Sequence, residues 1–245
     1  MNVVGKLLLL FRTLVSYFLA LCVVLVIIAP LLAILIVLPP SYCHDNRLIA
    51  WMMDLFYRGI VGALLVPISI KGKEHMVDEP AIIIANHQSA LDIPILGSVL
   101  QKRPHVWYAM SYYVQFPVIG FFIRRLGIPV DRGNGSTAAR SLRTGVKFAQ
   151  THTSNILIFP EGGRYNDGTV HEFLVGFAFV ARSTGRPVIP VFMPHNGKVY
   201  PPHSFWIHWH PLVVVIGPQF VYHEDDTDES FIQRVHRWFE HQARM

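Results

Sequence analysis

A histidine and an aspartate follow a short apolar run and lie five positions apart in the chain. Residues 81–85 are Ala-Ile-Ile-Ile-Ala, an uncharged run rich in β-branched side chains that is typical of a buried strand. His87 and Asp92 come just beyond it. On one continuous helix their side chains would point about 140° apart, because each residue turns the helix by about 100°. The two can meet only if His87 lies in a loop and Asp92 opens the next helix.

The residues around Asp92 favour such a change from loop to helix. Pro94 suits the first turn of a helix and not its interior, so we predict that Asp92 caps the helix and that Pro94 is its second residue. A carboxylate bound to one ring nitrogen of a histidine fixes the tautomer and leaves the other nitrogen free to take a proton. His87 is therefore a candidate general base, with Asp92 as the residue that orients it.

Three further stretches also come at predicted strand ends, where open α/β sheets bind their ligands. Residues 128–132 end in Arg132 beside a glycine-rich loop, and residues 188–191 contain Pro190 in an apolar run. Glycines in a turn expose backbone N–H groups, and two arginines can form a fork on a phosphate. The third stretch follows Phe159 and combines an acid, two glycines and an arginine: Glu161, Gly162, Gly163 and Arg164.

Strand and helix patterns alternate along most of the chain. Apolar runs predict strands at 68–70, 81–85, 106–110, 128–131, 155–159, 188–192 and 212–216. Helical periodicity predicts helices at 92–101, 112–126, 137–150, 174–183 and 229–244. Such alternation is typical of an α/β fold with a mostly parallel central sheet flanked by helices. We predict this domain at residues 67–245, preceded by membrane-anchoring helices at residues 1–66.

Hydrophobic residues make up 52% of the chain, and the surplus is concentrated in the N-terminal part. Residues 14–38 contain no charged residue over 25 positions, which is long enough to cross a bilayer core of about 30 Å. Pro30 also permits a kink, so two half-helices lying in one leaflet remain an alternative. A secretory signal is disfavoured because the run is too long and lacks a clean cleavage site. A second helix at 46–65 carries aromatic residues suited to an interfacial position.

The charge balance is basic, with 21 Lys and Arg against 16 Asp and Glu and a pI of about 9.3. This suits an anionic membrane surface or a phosphorylated substrate. No nucleic-acid-binding pattern is present, so no nucleic-acid partner is predicted. Cys22 and Cys43 offer no disulfide framework. A zinc site is disfavoured because tryptophans interleave the clustered histidines and neither thiolate nor nearby carboxylate completes a set; these histidines are His203, His208 and His210.

In their order and composition the four stretches resemble the motifs of the glycerolipid acyltransferases, whose best-known member is 1-acyl-sn-glycerol-3-phosphate acyltransferase. Asn86, His87 and Asp92 match the family's Asn-His-x4-Asp motif. Residues 128–132, 159–164 and 188–191 match the second, third and fourth motifs in the same order. The similarity covers roughly residues 68–218. Four ordered motifs are far more specific than one His-x4-Asp pair alone.

The resemblance implies that the protein transfers a fatty acyl group from an acyl thioester to the free hydroxyl of lysophosphatidic acid, giving phosphatidic acid. His87 would be the base, and an acyl carrier protein or coenzyme A thioester the co-substrate, without a metal or other cofactor. The partners would be the bilayer and the lysophospholipid acceptor, with the catalytic domain on the cytoplasmic face. The implied substrate-binding residues are the arginines that hold phosphate, the loop around them, the motif asparagine and a proline in the pocket wall: Arg132, Arg164, Glu161, Gly162, Gly163, Asn86 and Pro190.

The chain departs from the family pattern at two places. Gly163 stands where threonine is usual, and Leu174 and Val175 stand where relatives that act on lysophosphatidic acid often carry a lysine. A missing cation weakens the case for a phosphomonoester acceptor. The alternatives are an acyltransferase for another lysophospholipid or lipid alcohol, and a non-catalytic lipid-binding module of the same fold.

Overall fold

The fold is built on one mixed sheet, seen in a computed structural model that describes residues 2–131, 133 and 135–245. Within these ranges the sheet has seven strands, in the spatial order β1-β7-β6-β2-β5-β3-β4. The strands are β1 (Ile68–Lys71), β2 (Ile82–Ala85), β3 (His105–Met110), β4 (Gly127–Val130), β5 (Asn155–Ile158), β6 (Val188–Phe192) and β7 (Leu212–Ile216).

Every pair of neighbouring strands is parallel except β6 and β7. The strands β2, β3, β5 and β6 therefore run in one direction, and their carboxyl ends meet at one edge of the sheet. This confirms the predicted α/β fold with a mostly parallel sheet. The candidate site residues directly follow these strands in the sequence, so they lie at this edge of the sheet.

The central strand β2 is buried on both faces, as its continuous apolar sequence predicts. Ile82 and Ile84 join one core layer, while Ile83 and Ala85 join the other. The first layer contacts α6 (Gly135–Thr151), α7 (Gly176–Thr184) and α9 (Asp228–Arg244), and the second contacts α3 (Arg47–Ala63), α4 (Asp92–Val99) and α8 (Asn196–Val199). The sheet thus lies between two helical layers.

The predicted helix at 112–126 is wrong in its first half. A 3₁₀ helix, Ser111–Gln115, comes first, and the α-helix α5 (Pro117–Leu126) starts only at the proline. Phe116 between them is extended, with φ −80° and ψ 130°. Proline lacks the N–H that a helix interior needs and disfavours helical backbone in the residue before it. The break therefore falls at this pair.

The N-terminal helical segment is α1 (Val3–Val23), a π-helical turn (Val24–Ile28) and α2 (Ala29–Val37). Among the described residues, Val3–Val37 is the one helix long and apolar enough to cross a membrane. The π-helical turn ends just before Pro30, whose missing N–H disturbs the regular ladder.

One side of α1 packs on the sheet domain through polar groups. Thr13 Oγ1 accepts from the Ile207 amide at 3.2 Å, and Tyr17 Oη donates to the Phe205 carbonyl at 3.0 Å. Arg12 donates to the Leu64 carbonyl at 2.6 Å. The other side of α1 exposes large apolar side chains, and beside it so does the 205–209 segment.

Candidate active site

His87 and Asp92 meet at the carboxyl end of β2. The His87 ring lies in the loop after the strand, and its Nδ1 is 2.7 Å from Asp92 Oδ2. The prediction that Asp92 caps the helix was wrong: it is the first residue of α4, Leu91 is the N-cap and Pro94 is the third residue. The carboxylate is turned back toward the preceding loop, so it does not accept from the amides of its own helix.

The Asp92 carboxylate is fully buried and surrounded by donors. Oδ2 accepts from the backbone amides of Gln88 and Ser89 as well as from His87. Oδ1 accepts from Asn196 Nδ2 at 2.9 Å. Hydrogen bonds from fixed donors stabilise a buried carboxylate charge and hold it in one orientation. Asp92 is thus placed to orient the imidazole and to stabilise a positive charge on it.

The hydrogen bond from Arg164 shows which ring nitrogen of His87 carries the proton. Its Nε–H donates to His87 Nε2 at 3.1 Å. Because a guanidinium has donors only, Nε2 must be the acceptor and Nδ1 must carry the proton that goes to Asp92. This is the tautomer that a general base needs. The imidazole also stacks on Phe159, with ring centroids 4.0 Å apart and planes 8° apart.

Glu161 holds the backbone of the histidine. Oε1 accepts from the His87 amide at 3.1 Å and Oε2 from the His171 amide at 3.3 Å. Burial raises the pKa of Glu161 to about 7, although both backbone hydrogen bonds act in the opposite direction. The Tyr165 amide donates to the His87 carbonyl at 2.8 Å. The loop after β5 therefore holds both backbone groups of His87.

Asn86 is buried, and its amide is engaged within the protein. Nδ2 donates to the Met193 carbonyl at 3.0 Å, and Oδ1 accepts from the Met193 amide at 2.8 Å. These two bonds join the loop after β2 to the loop after β6. The geometry supports a positioning role for this side chain, which differs from the predicted contact with substrate.

The remaining predicted site residues fall in different places. Gly162 has φ +67°, in the left-handed region that favours glycine, and its amide closes a turn on the Phe159 carbonyl at 3.1 Å. Gly163 and Arg164 continue this loop beside His87. Pro190 lies in β6 opposite Ile84, and its carbonyl accepts from the Gly217 amide at 2.8 Å; its place in the pocket wall stays a prediction. Arg132 lies outside the described residues.

Asn196 is a candidate site residue that the sequence analysis did not predict. It is fully buried and supplies the donor to Asp92 Oδ1 across 104 positions of sequence. A signal for it exists, because it follows β6 by four residues and so belongs to the same edge of the sheet. Within the described ranges, no group of three or more His, Cys, Asp or Glu side chains is placed to hold a metal ion.

The fold and this cluster define a class of protein: an α/β domain that carries a histidine oriented by a carboxylate, together with an arginine, at the carboxyl ends of its parallel strands. The family described as Acyltransferase matches residues 67–194, which is more than half of the chain. The chain belongs to the Acyltransferase family.

Named relatives agree with this assignment. The 1-acyl-sn-glycerol-3-phosphate acyltransferase of Limnanthes alba is 26% identical over 192 residues, covering 73% of this chain and 63% of the relative. The chloroplastic 1-acyl-sn-glycerol-3-phosphate acyltransferase LPAT1 of Arabidopsis thaliana is 32% identical over 152 residues, covering 61% of this chain and 42% of the relative. The chain thus spans less than two thirds of the length of these relatives.

One solved structure shows the same fold. The 1-acyl-sn-glycerophosphate (LPA) acyltransferase PlsC from Thermotoga maritima superposes with a TM-score of 0.77 at 22% sequence identity. The match covers 98% of this chain and 96% of that one, so it includes the N-terminal helices as well as the sheet.

Proposed function

We propose that this protein is a 1-acylglycerol-3-phosphate O-acyltransferase, which moves a fatty acyl group from an acyl thioester to the free hydroxyl of lysophosphatidic acid. The observation that carries the proposal is the His87 tautomer, with Nδ1–H on Asp92 and the lone pair of Nε2 directed at Arg164. Family membership and the names of the relatives support the choice of reaction and acceptor.

The proposed reaction begins with a proton transfer. His87 Nε2 takes the proton of the acceptor hydroxyl as the oxygen attacks the thioester carbonyl, forming a tetrahedral oxyanion. The intermediate collapses by breaking the carbon–sulfur bond. The departing thiolate then receives the proton from Nε2, so the products are phosphatidic acid and a free thiol. Asp92 stabilises the transient imidazolium, because its buried carboxylate contacts Nδ1 throughout.

Arg164 must change partner during the cycle. Its Nε–H occupies the nitrogen that has to accept the hydroxyl proton. A phosphate is the stronger partner for a guanidinium, because it is anionic and can accept two parallel hydrogen bonds. We therefore propose that the acceptor phosphate draws Arg164 away from His87 as the hydroxyl arrives. By the sequence pattern, Arg132 would contribute a second guanidinium.

The loop that precedes Arg164 suits an anion. The backbone N–H groups of Gly163 and Arg164 donate to no other residue in the described part of the chain. Gly163 has no side chain to cover them. Unpaired N–H groups in a glycine turn are donors for a phosphate or an oxyanion. In this proposal Gly162 shapes the turn and Glu161 orders it.

The proposed setting is a membrane with the catalytic domain on its cytoplasmic face, and the donor is an acyl carrier protein or coenzyme A thioester without a further cofactor. The exposed apolar side of the Val3–Val37 helix supports membrane attachment. Attachment would bring the site to the membrane surface, where lysophospholipids reside.

A second acceptor class is favoured by one observation. Leu174 and Val175 are each 45% exposed just before α7, and the Leu174 amide donates to the Pro160 carbonyl at 2.8 Å, beside the Glu161 loop. Apolar side chains at this point supply no charge for the second negative charge of a phosphomonoester. A lysophospholipid with a phosphodiester head group is therefore the alternative acceptor.

The test is acyl transfer by the purified full chain in lipid or detergent. Radiolabelled acyl carrier protein and coenzyme A thioesters are offered with a panel of lysophospholipids. We expect product from lysophosphatidic acid, its loss in His87→Ala, and its retention in the control His203→Ala. Transfer only to phosphodiester acceptors would move the substrate to the alternative. Absence of transfer, or transfer unaffected by His87→Ala, would contradict the catalytic proposal and favour a lipid-binding module.

A further inference from the structure

The ring of Tyr165 lies against the backbone of Gly163 in the candidate phosphate loop. A Cβ built on Gly163 would be 3.0 Å from each of three Tyr165 atoms, Cε2, Cζ and Oη. Such contacts are tighter than ordinary van der Waals distances, so a side chain at position 163 would require the ring to shift by a few tenths of an ångström. The absence of a side chain at position 163 and the position of the tyrosine ring are therefore linked.

Two contacts hold Tyr165 in this place, and a third holds its stacking partner. The Tyr165 amide donates to the His87 carbonyl at 2.8 Å, which ties the residue to the candidate base. The ring stacks on His171, with centroids 3.7 Å apart and planes 17° apart. His171 Nε2 is in turn 2.8 Å from Asp167 Oδ2. Tyr165 is thus held from its backbone and from one face of its ring.

The phenol hydroxyl of Tyr165 nevertheless has no hydrogen-bond partner among the described residues. The side chain is partly exposed. The hydroxyl lies over Gly163, whose backbone N–H also donates to no other residue of the described ranges, and Arg164 follows directly. The hydroxyl, the nearby backbone N–H groups and the arginine are all hydrogen-bond donors. Together they suit an anionic ligand.

We propose that Tyr165 is a specificity-determining residue whose hydroxyl donates to the phosphate of the acceptor, in the space that a side chain at position 163 would otherwise fill. This inference rests on the proposed function, because it takes the acceptor phosphate to lie in the Gly163–Arg164 loop. The tyrosine hydroxyl is neutral, so it can donate a hydrogen bond to a phosphate without adding positive charge to the site.

The first test uses Tyr165→Phe, which keeps the ring and its stacking and removes only the hydroxyl. We expect the KM for the acceptor to rise about tenfold, since a hydrogen bond to a charged group is lost. The kcat and the KM for the acyl thioester should stay within about twofold of the wild-type values. Tyr112→Phe, an exposed tyrosine elsewhere, serves as the matched control and should change neither KM.

The second test asks whether Gly163 acts through the ring. Gly163→Ala should shift the ring slightly and raise the acceptor KM by no more than Tyr165→Phe does. The double variant should be no worse than Tyr165→Phe alone, because Gly163→Ala acts through the hydroxyl that this variant already lacks. Unchanged acceptor KM in Tyr165→Phe, an equal rise in both KM values, or simple addition of the two effects would overturn the proposal.

A binding measurement separates failure of this inference from failure of the proposed function. Binding of glycerol 3-phosphate by the full chain is compared for wild type and Tyr165→Phe, without any acyl donor. Weaker binding in the variant would support the hydroxyl contact even if no acyl transfer were found. Equal binding by two folded proteins would refute the contact even if the wild type were an active acyltransferase.

Discussion

Removal of the Asn196 side chain tests whether the donor to the second Asp92 oxygen matters for catalysis. In Asn196→Ala, Asp92 Oδ1 loses its side-chain donor while the carboxylate remains fully buried. A hydrogen bond to a charged group contributes about 1.5 to 3 kcal/mol. If all of this free energy were lost from the transition state, kcat would fall about 10- to 150-fold, since each factor of ten corresponds to about 1.4 kcal/mol.

The loss should appear in kcat because Asn196 acts through the orientation of Asp92 and not through the substrate. Initial rates of acyl transfer at saturating donor and acceptor give kcat, and chemical denaturation in detergent gives the free energy of unfolding. We expect the KM for the acceptor to change by less than about threefold.

Asn155→Ala is the matched control for this experiment. Asn155 is also a buried asparagine with two hydrogen bonds, accepting from the Ala81 amide at 3.0 Å and donating to the Pro104 carbonyl at 3.1 Å. It lies at the amino end of β5, at the edge of the sheet opposite to His87. Its loss should lower the free energy of unfolding by about 1 to 3 kcal/mol and leave kcat unchanged. A kcat of Asn196→Ala within twofold of wild type would refute the reasoning.

Three further predictions test the site and the packing behind it. Asp92→Asn keeps the shape of the side chain but removes its charge, so kcat should fall about 10³- to 10⁴-fold in steady-state assays; the melting temperature should also fall, because the Gln88 and Ser89 amides lose a charged acceptor. Gly97→Ala should lower the free energy of unfolding by about 1 to 3 kcal/mol, because its Cβ would overlap the buried Tyr57 ring. Gly62→Ala should not lower it, because no atom of the described residues lies within 4 Å of its Cβ; equal denaturation midpoints for the two variants would contradict this. The raised pKa of Glu161, about 7 against an ordinary 4.5, means that the folded state retains a proton which the unfolded chain releases. Stability should therefore decrease by up to about 3 kcal/mol as pH rises from 4.5 through 7, and Glu161→Gln should abolish this component in unfolding titrations; an unchanged pH slope in the variant would count against it.

Much of the fold follows from local sequence. The predicted bounds of β6 and β7, 188–192 and 212–216, agree with the structure. The prediction succeeds because strands in a covered sheet need uninterrupted apolar runs, and these runs are short and clearly bounded. The split of the predicted helix 112–126 was missed although Pro117 marks it, because apolar periodicity continues across the break.

The meeting of His87 with Asp92 was also within reach of sequence reasoning. A spacing that places two side chains on different sides of a helix, together with Pro94, requires a loop and then a helix. The direction of the Asp92 carboxylate was not predictable, because the loop amides of Gln88 and Ser89 compete with the helix amides for it. Their three-dimensional positions decided the outcome.

The sequence by itself determined the alternation of strands and helices, the apolar N-terminal segment and the motif residues at strand ends, since each depends on neighbours a few positions away. Only the tertiary structure decided which distant groups complete the site. Asn196 reaches Asp92 and Met193 engages Asn86 because β6 lies beside β2 in the sheet. Strand order depends on the packing of the whole chain, and no local pattern records it.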